Sequence, residues 1–441
     1  MGNYEIVLVV FSVFVLLYSF VHKWKTTRLL YLLIFSLCFY YRVGGHFVLL
    51  LALVAVSNYL WGLAVAKNKV FCFWAVVFNL SILSYFKIEY FSGFILPVGI
   101  SFYIFQAVSY VVDVARGEIE AETNVLDFSL YLCFFPQLIS GPIVRAKDFL
   151  PQIKVAPQVS FFDVGSGFFL ILAGLVKKTV ISDYLSLNLV DRIFSAPNLY
   201  GSFENLLAVY AYSIQIYCDF SGYSDMAIGV ALLLGFRLPI NFRSPFQAQS
   251  VTEFWRRWHI SLSSFLRDYL YIPLGGNRKG SARTFLNLML TMIIGGLWHG
   301  VGLKFMLWGA VHGIALCFER IFRLRLPPIL STLITFHFIA FTFMLFRAPD
   351  VETAFAVVKK IGELRFDADL FSAVAIHYKY ALILMFSAYF VHFIPENIAE
   401  KIKLAFIMSP LPIKIIIGAI LLRISYFVSV SGIRPFIYFQ F

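Results

Sequence analysis

Two histidines stand in parts of the sequence where little else is polar. His299 closes Gly295-Gly-Leu-Trp-His-Gly300 inside an apolar run, and His259 follows Glu253-Phe-Trp-Arg-Arg-Trp258, with Ser261 and Ser263 just beyond it. An ionisable side chain at membrane depth is costly, so its presence there points first to function. Neutral imidazole, with an unperturbed pKa of about 6.5, takes a proton readily at neutral pH. It serves as a general base toward a hydroxyl or as a nucleophile toward a carbonyl. The plainer role for either residue is a hydrogen bond to a neighbouring helix. The glycines around Trp298 and His299 let backbone or substrate come close. His312, thirteen residues further on in Gly309-Ala-Val-His-Gly313, fits the plainer role better.

Acids are scarce in the same apolar context. Asp219 and Asp225 bracket the segment Asp219-Phe-Ser-Gly-Tyr-Ser-Asp225. Buried acids need partners or protons, and arginine is the expected partner. The Ser-Gly-Tyr-Ser pattern is not a GxSxG elbow, so a serine hydrolase is not indicated. No HxxxH, HExxH or CxxC spacing occurs, which gives a metal site no support.

The element that must position His259 is the interrupted stretch from 236 to 283. Phe254, Trp258, Leu262, Phe265 and Tyr269 recur at helical spacing. This predicts one helix from about Thr252 to Pro273, ended by Gly275-Gly276. Trp255, Arg256, Arg257, Arg267 and Asp268 give it an aromatic and charged character. Such a helix lies at the bilayer interface as an anchor, or dips beside a cavity that satisfies its backbone. The turn Leu274-Gly-Gly-Asn-Arg-Lys-Gly280 offers backbone N–H groups beside Arg278 and Lys279, with Asn277 between them and the glycines. It could cradle phosphates, and a plain cytoplasmic loop accounts for its cations equally well.

The rest of the chain is membrane. Of 441 residues 60% are hydrophobic and 14% charged, with mean hydropathy +0.82, against about 25% charged in soluble domains. Soluble enzymes, disordered chains and collagen-like fibres are excluded. Apolar runs near 4–22, 27–42, 46–66, 70–90, 92–113, 126–144, 161–182, 203–235, 284–303, 304–319, 329–347, 376–395 and 411–431 predict about eleven to thirteen helices at membrane depth, not all of which need span it. The net charge of +12 falls mostly in short clusters such as Lys23, Lys25 and Arg28. These read as cytoplasmic loops, which places the N-terminus outside; nucleic acid is not an expected partner. No linker or large polar block divides residues 1–441, which read as one membrane domain.

These segments together resemble the membrane-bound O-acyltransferase family, and within it the bacterial branch that acetylates cell-envelope polysaccharides. The resemblance rests on Glu253–Gly280, Gly295–Gly300, Asp219–Asp225, Leu96-Pro-Val-Gly-Ile-Ser-Phe, Pro136-Gln-Leu-Ile-Ser-Gly-Pro and the ending Phe436-Ile-Tyr-Phe-Gln-Phe441, so it spans about 95 to 441. Helices 1–95 then precede a core at 96–441 with its catalytic region at 219–313. The resemblance implies an all-α ring of helices around a tunnel across the membrane. It also implies two catalytic positions some forty residues apart, which His259 and His299 match with a separation of 40. Acetyl-coenzyme A is the implied donor, with Arg278 and Lys279 as candidate phosphate contacts and no bound cofactor. Trp255–Asp268 would line the donor cavity, with Asp219, Asp225 and His312 in support. The implied setting is the bacterial inner membrane, with an extracytoplasmic protein that accepts the acetyl group and passes it on. Peptidoglycan is the expected final acceptor. Alginate acetylation and D-alanyl transfer to teichoic acid are alternatives within the family. Outside it stand a transporter or flippase, and a scaffold whose polar residues only join helices.

Overall fold

The computed structural model describes residues 3–91, 93, 95–322, 326–363 and 367–429, so the ending at Phe436–Phe441 lies outside the described residues. The described residues are mostly helical, with no strand among them. Among the described residues six stretches are long and apolar enough to cross a membrane: Lys25–Lys67, Val70–Ile88, Phe161–Ser195, Leu303–Phe322, Pro328–Arg347 and Leu411–Val428. A seventh forms if Ala368–His377 and Lys379–His392, bent by 83° at their junction, are counted together. The 43-residue stretch Lys25–Lys67 holds both runs expected at 27–42 and 46–66, joined by a turn at Gly45–Phe47. The remaining runs form helices that are shorter or more polar. Ile100–Arg116 is buried along almost its whole length, and Ser202–Leu233 carries Asp219 and Asp225. Such helices face protein, so their sequences need not be uniformly apolar.

Contacts group the chain into two compact units. The first comprises Met1–Leu170 with Ala227–Pro239, the second Ile171–Met226 with Ile240–Phe441. In the first, the run expected at 126–144 is not one helix. Val125–Cys133 is capped by the Asn124 side chain, which accepts from the Leu126 and Asp127 N–H groups, and a four-residue helix Phe135–Leu138 follows. Pro136 and the extended turn at Phe134 prevent a continuous helix. Gly99, at φ 72°, brings its backbone against the Leu138 carbonyl, where an added Cβ would lie 2.3 Å away. Arg28 is not a loop cation: it is 1% exposed and donates to the carbonyls of His22, Ile153 and Val155.

The second unit is built around close helix approaches. Gly174 and Gly222 meet so tightly that a Cβ on either would lie 2.4 or 2.7 Å from the other's carbonyl oxygen. Small residues allow backbones to pack in this way inside a membrane. Gly296 and Gly309 do the same for Gly280–His299 and Leu303–Phe322.

Candidate functional site

His259 does not lie within a helix. Val251–Arg257 and Ile260–Leu266 are separate short helices, and His259 sits between them at φ 43°, ψ 54°. A residue other than glycine at positive φ is uncommon and marks backbone held in place by its surroundings. Here Asn241 does the holding. Its carbonyl accepts from the Ile260 N–H at 2.9 Å, and its side-chain Oδ1 accepts from the Ser261 N–H at 3.2 Å and Ser261 Oγ at 2.9 Å. The His259 Nδ1 lies 3.2 Å from the same oxygen, and Asn241 Nδ2 donates to Ser224 Oγ at 3.2 Å. The expected start at Thr252 is also displaced. Ser250 caps the helix by accepting from the Glu253 N–H, while the Glu319 carboxylate accepts from the Val251 and Thr252 N–H groups. A wider, π-helical turn at Arg267–Tyr271 follows Ile260–Leu266 before the Gly275-Gly276 turn.

His299 is the last residue of Gly280–His299 and is buried. Its ring centroid lies 4.8 Å from Trp298, 5.4 Å from Trp308 and 5.0 Å from Phe346. His259, fully buried, meets Trp298 at 6.0 Å and Phe220 edge-on at 4.6 Å. The two histidines singled out by type and spacing therefore share Trp298 as a common neighbour. Gly295 and Gly296 have a different task from the one a glycine pair beside a histidine suggests. The helix runs unbroken through them, so their N–H groups are not released toward substrate. Gly296 instead admits the Phe305 carbonyl, 2.2 Å from where a Cβ would stand.

His312 is structural in its contacts. The Trp255 indole N–H donates to its Nδ1 at 3.3 Å, which leaves Nε2 protonated and pointing to Thr342 Oγ1 at 3.1 Å. That hydroxyl donates in turn to the Ile339 carbonyl. Both ring nitrogens are used.

The arginine partners expected for Asp219 and Asp225 are lysines. Lys178 Nζ bridges Asp219 at 2.6 Å and Asp183 at 2.7 Å, and Lys177 pairs with Asp225 at 2.6 Å. The helix widens to π-helical turns over Val176–Asp183. In an α-helix positions i and i+5 lie about 140° apart, whereas the wider turn brings Lys178 and Asp183 to one side. Neither lysine was singled out in the sequence, although two adjacent lysines inside an apolar run imply two nearby acids. Asn241 and Ser224 were also missed; the only signal for Asn241 was its place after Leu-Pro-Ile in the interrupted stretch.

A cavity of about 1170 Å³ opens beside this region, large against the usual ~300–1000 Å³ of ligand sites. Trp255, Arg256, Ser263, Ser264 and Arg267 line it from the interrupted stretch, with Thr291, Glu319 and Arg320 from later helices. Three arginines against one glutamate give its polar part a positive balance, and Leu266, Leu288, Met292 and Ile314 supply apolar wall. His259 and His299 are not on that wall, whereas Ile260, next to His259, is. Other expected members point elsewhere. Arg257 pairs with Glu253 at 2.7 Å, and Asp268 with Arg267 at 2.7 Å. Trp258 is buried among Phe242, Phe254 and Phe343, and Ser261 is held by Asn241. Asn277, Arg278 and Lys279 are exposed on a turn whose Gly276 carbonyl accepts from Asn287.

Residues 7–346 match the membrane-bound O-acyltransferase (MBOAT) family, beginning well before the motif-bearing part of the chain. The probable alginate O-acetylase AlgI of Pseudomonas aeruginosa is 42% identical over 74% of this chain and 68% of its own length. The peptidoglycan O-acetyltransferase of Helicobacter pylori is 36% identical over 75% and 73%, respectively. The teichoic acid D-alanyltransferase of Bacillus subtilis is 28% identical over 56% and 68%. An acyltransferase activity replaces the transport and scaffold readings, and the chain is a multi-pass membrane protein belonging to the membrane-bound O-acyltransferase family.

Proposed function

We propose that this enzyme moves an acetyl group from acetyl-coenzyme A, on the cytoplasmic side of the bacterial inner membrane, toward hydroxyls of a cell-envelope polysaccharide. The observation that carries this reading is the pair His259 and His299, buried around Trp298 in a chain of this family. The reaction joins a hydroxyl oxygen to the thioester carbonyl carbon and breaks the carbon–sulfur bond. A neutral imidazole takes the hydroxyl proton as the oxygen attacks and returns it to the departing thiolate, which contributes on the order of 10²–10⁴ in rate. His299 is the essential base in this reading and His259 its companion. The cavity lined by Trp255, Arg256 and Arg267 supports donor binding, because its three arginines suit the phosphates of coenzyme A. Acetyl transfer is favoured over D-alanyl transfer by the higher identity to the two O-acetylating relatives.

Peptidoglycan is the proposed final acceptor, reached through an extracytoplasmic protein that receives the acetyl group. Alginate is a second reading, supported by the 42% identity to a probable alginate O-acetylase. The test is expression, with its partner, in a bacterium whose peptidoglycan and alginate carry no O-acetyl groups. Base-labile acetate on purified peptidoglycan, lost with His299→Ala, is the expected result. Acetate on alginate alone selects the second reading, and acetate on neither polymer with an active enzyme overturns the polysaccharide assignment.

A further inference from the structure

We infer that Asn241 is the positioning residue for His259, fixing the tautomer in which Nδ1 carries the hydrogen and Nε2 the lone pair. The inference deepens the proposed function and rests on His259 taking part in transfer. The orientation of the Asn241 amide follows from its neighbours. The Ser261 backbone N–H is always a donor, so the atom it meets at 3.2 Å is the amide oxygen. Ser261 Oγ donates to the same oxygen at 2.9 Å, and the amide nitrogen on the other side donates to Ser224 Oγ at 3.2 Å. An oxygen accepts only, so His259 Nδ1, 3.2 Å away, must be the donor. In a neutral ring Nε2 then holds the lone pair. The ring nitrogen that His259, as companion to His299, keeps free of hydrogen is thereby chosen by a residue eighteen positions upstream.

The same residue sets the ring's place. Asn241 accepts from both N–H groups that follow His259, through its carbonyl and its Oδ1, and so holds the positive-φ turn on which the ring is mounted. Ser224 holds the Asn241 amide from behind, which gives the Asp219–Asp225 segment a role beyond its ion pairs. Phe220, Phe242 and Trp298 face the imidazole and carry no charge. Asn241, in contact with Nδ1, is a polar group that distinguishes one ring nitrogen from the other.

The test compares wild type, His259→Ala, Asn241→Ala and Asn241→Asp in thiol release from acetyl-coenzyme A, with a hydroxyl acceptor present and the rate followed from pH 5 to 9. Asn241→Ala is expected to lower kcat about 10- to 100-fold, as loss of an orienting partner commonly does, with KM for the donor unchanged. Asn241→Asp keeps an acceptor for Nδ1, and the Ser224 hydroxyl can turn to donate to it. It is expected to recover most of the rate. Its new negative charge favours the imidazolium, so the acidic limb of the pH–rate profile moves up by about one unit or more. A residue 241 side chain not facing the His259 ring would not move that limb. An Asn241→Asp profile that coincides with wild type overturns the inference, even where Asn241→Ala fails to fold. So does an Asn241→Ala enzyme with wild-type kcat while His259→Ala is inactive. Wild-type protein without transferase activity, or fully active His259→Ala, instead overturns the functional reading on which the inference rests.

Discussion

Exchanging Gly296 for alanine should damage the enzyme, whereas the same exchange one residue earlier should not. A Cβ on Gly296 would stand 2.2 Å from the Phe305 carbonyl oxygen and 3.1 Å from its carbon, both backbone atoms of the Leu303–Phe322 helix. Ordinary contact begins near 3.4 Å, so the partner helix must retreat by about 1 Å, and overpacking of this kind typically costs about 1–3 kcal/mol. Alanine returns about 0.5–1 kcal/mol of helix propensity in either position, which leaves Gly296→Ala destabilised by roughly 0–2.5 kcal/mol. Catalysis should suffer more. The retreat separates His299 from Trp308, now 5.4 Å apart, and a misplacement of about 1 Å can reduce rate about 10²-fold. At Gly295 the nearest atom to a new Cβ is Leu266 Cδ1 at 3.0 Å, the end of a flexible side chain. Gly295→Ala should keep stability within about 0.5 kcal/mol and most of the activity. The assay is thermal unfolding in detergent beside thiol release for each variant. Equal stability and equal activity of the two alanine variants would refute the helix contact and the geometry built on it.

Three further outcomes follow from contacts elsewhere. His312→Ala removes a fully buried ring and orphans the Trp255 N–H and the Thr342 hydroxyl; it should lower stability by about 2–4 kcal/mol, measured as a drop in unfolding temperature, and Ala behaving like wild type would contradict the structural role. Lys178→Ala leaves Asp219 and Asp183 without their shared ammonium and should cost about 3–5 kcal/mol. Lys177→Ala, at a pair still about a quarter exposed, should cost about 1 kcal/mol, so a reversed order in unfolding temperature counts against the assignment. Burial raises the Glu122 carboxyl, but Lys154 and the Asn124 and Thr123 N–H groups outweigh it and hold it below the usual carboxylate value. Its contribution is therefore present above the unfolded-state pKa of about 4.3 and is lost as pH falls through the lower folded value. Wild type should lose unfolding temperature below about pH 4 more steeply than Glu122→Gln, and parallel curves would exclude this linkage.

Much of the architecture was legible because a bilayer constrains sequence so strongly. Long apolar runs had to be helices, and histidines inside them had to have a reason. The break at His259 was not legible. Phe254, Trp258, Leu262 and Phe265 keep helical spacing straight through it, because both short helices turn the same side toward the protein core. What interrupts them is a tertiary contact from Asn241, which periodicity does not report. Lysine rather than arginine partners for Asp219 and Asp225 depend likewise on the close approach at Gly174 and Gly222. Among the described residues the helices at membrane depth outnumber the six clear spans, because some apolar runs form helices that are shorter or more polar, such as Val9–Val21 and Ile100–Arg116. Arg28 resembled a loop cation by sequence neighbourhood, although its guanidinium caps backbone carbonyls more than a hundred residues away.

The most direct measurement is free-thiol release from acetyl-coenzyme A by the purified protein in detergent, with a hydroxyl acceptor present, for wild type, His259→Ala and His299→Ala. Wild type is expected to release thiol and both variants to fall by about 10² or more, each retaining its size-exclusion profile. Release by His299→Ala at the wild-type rate would contradict the role of His299 as the essential base.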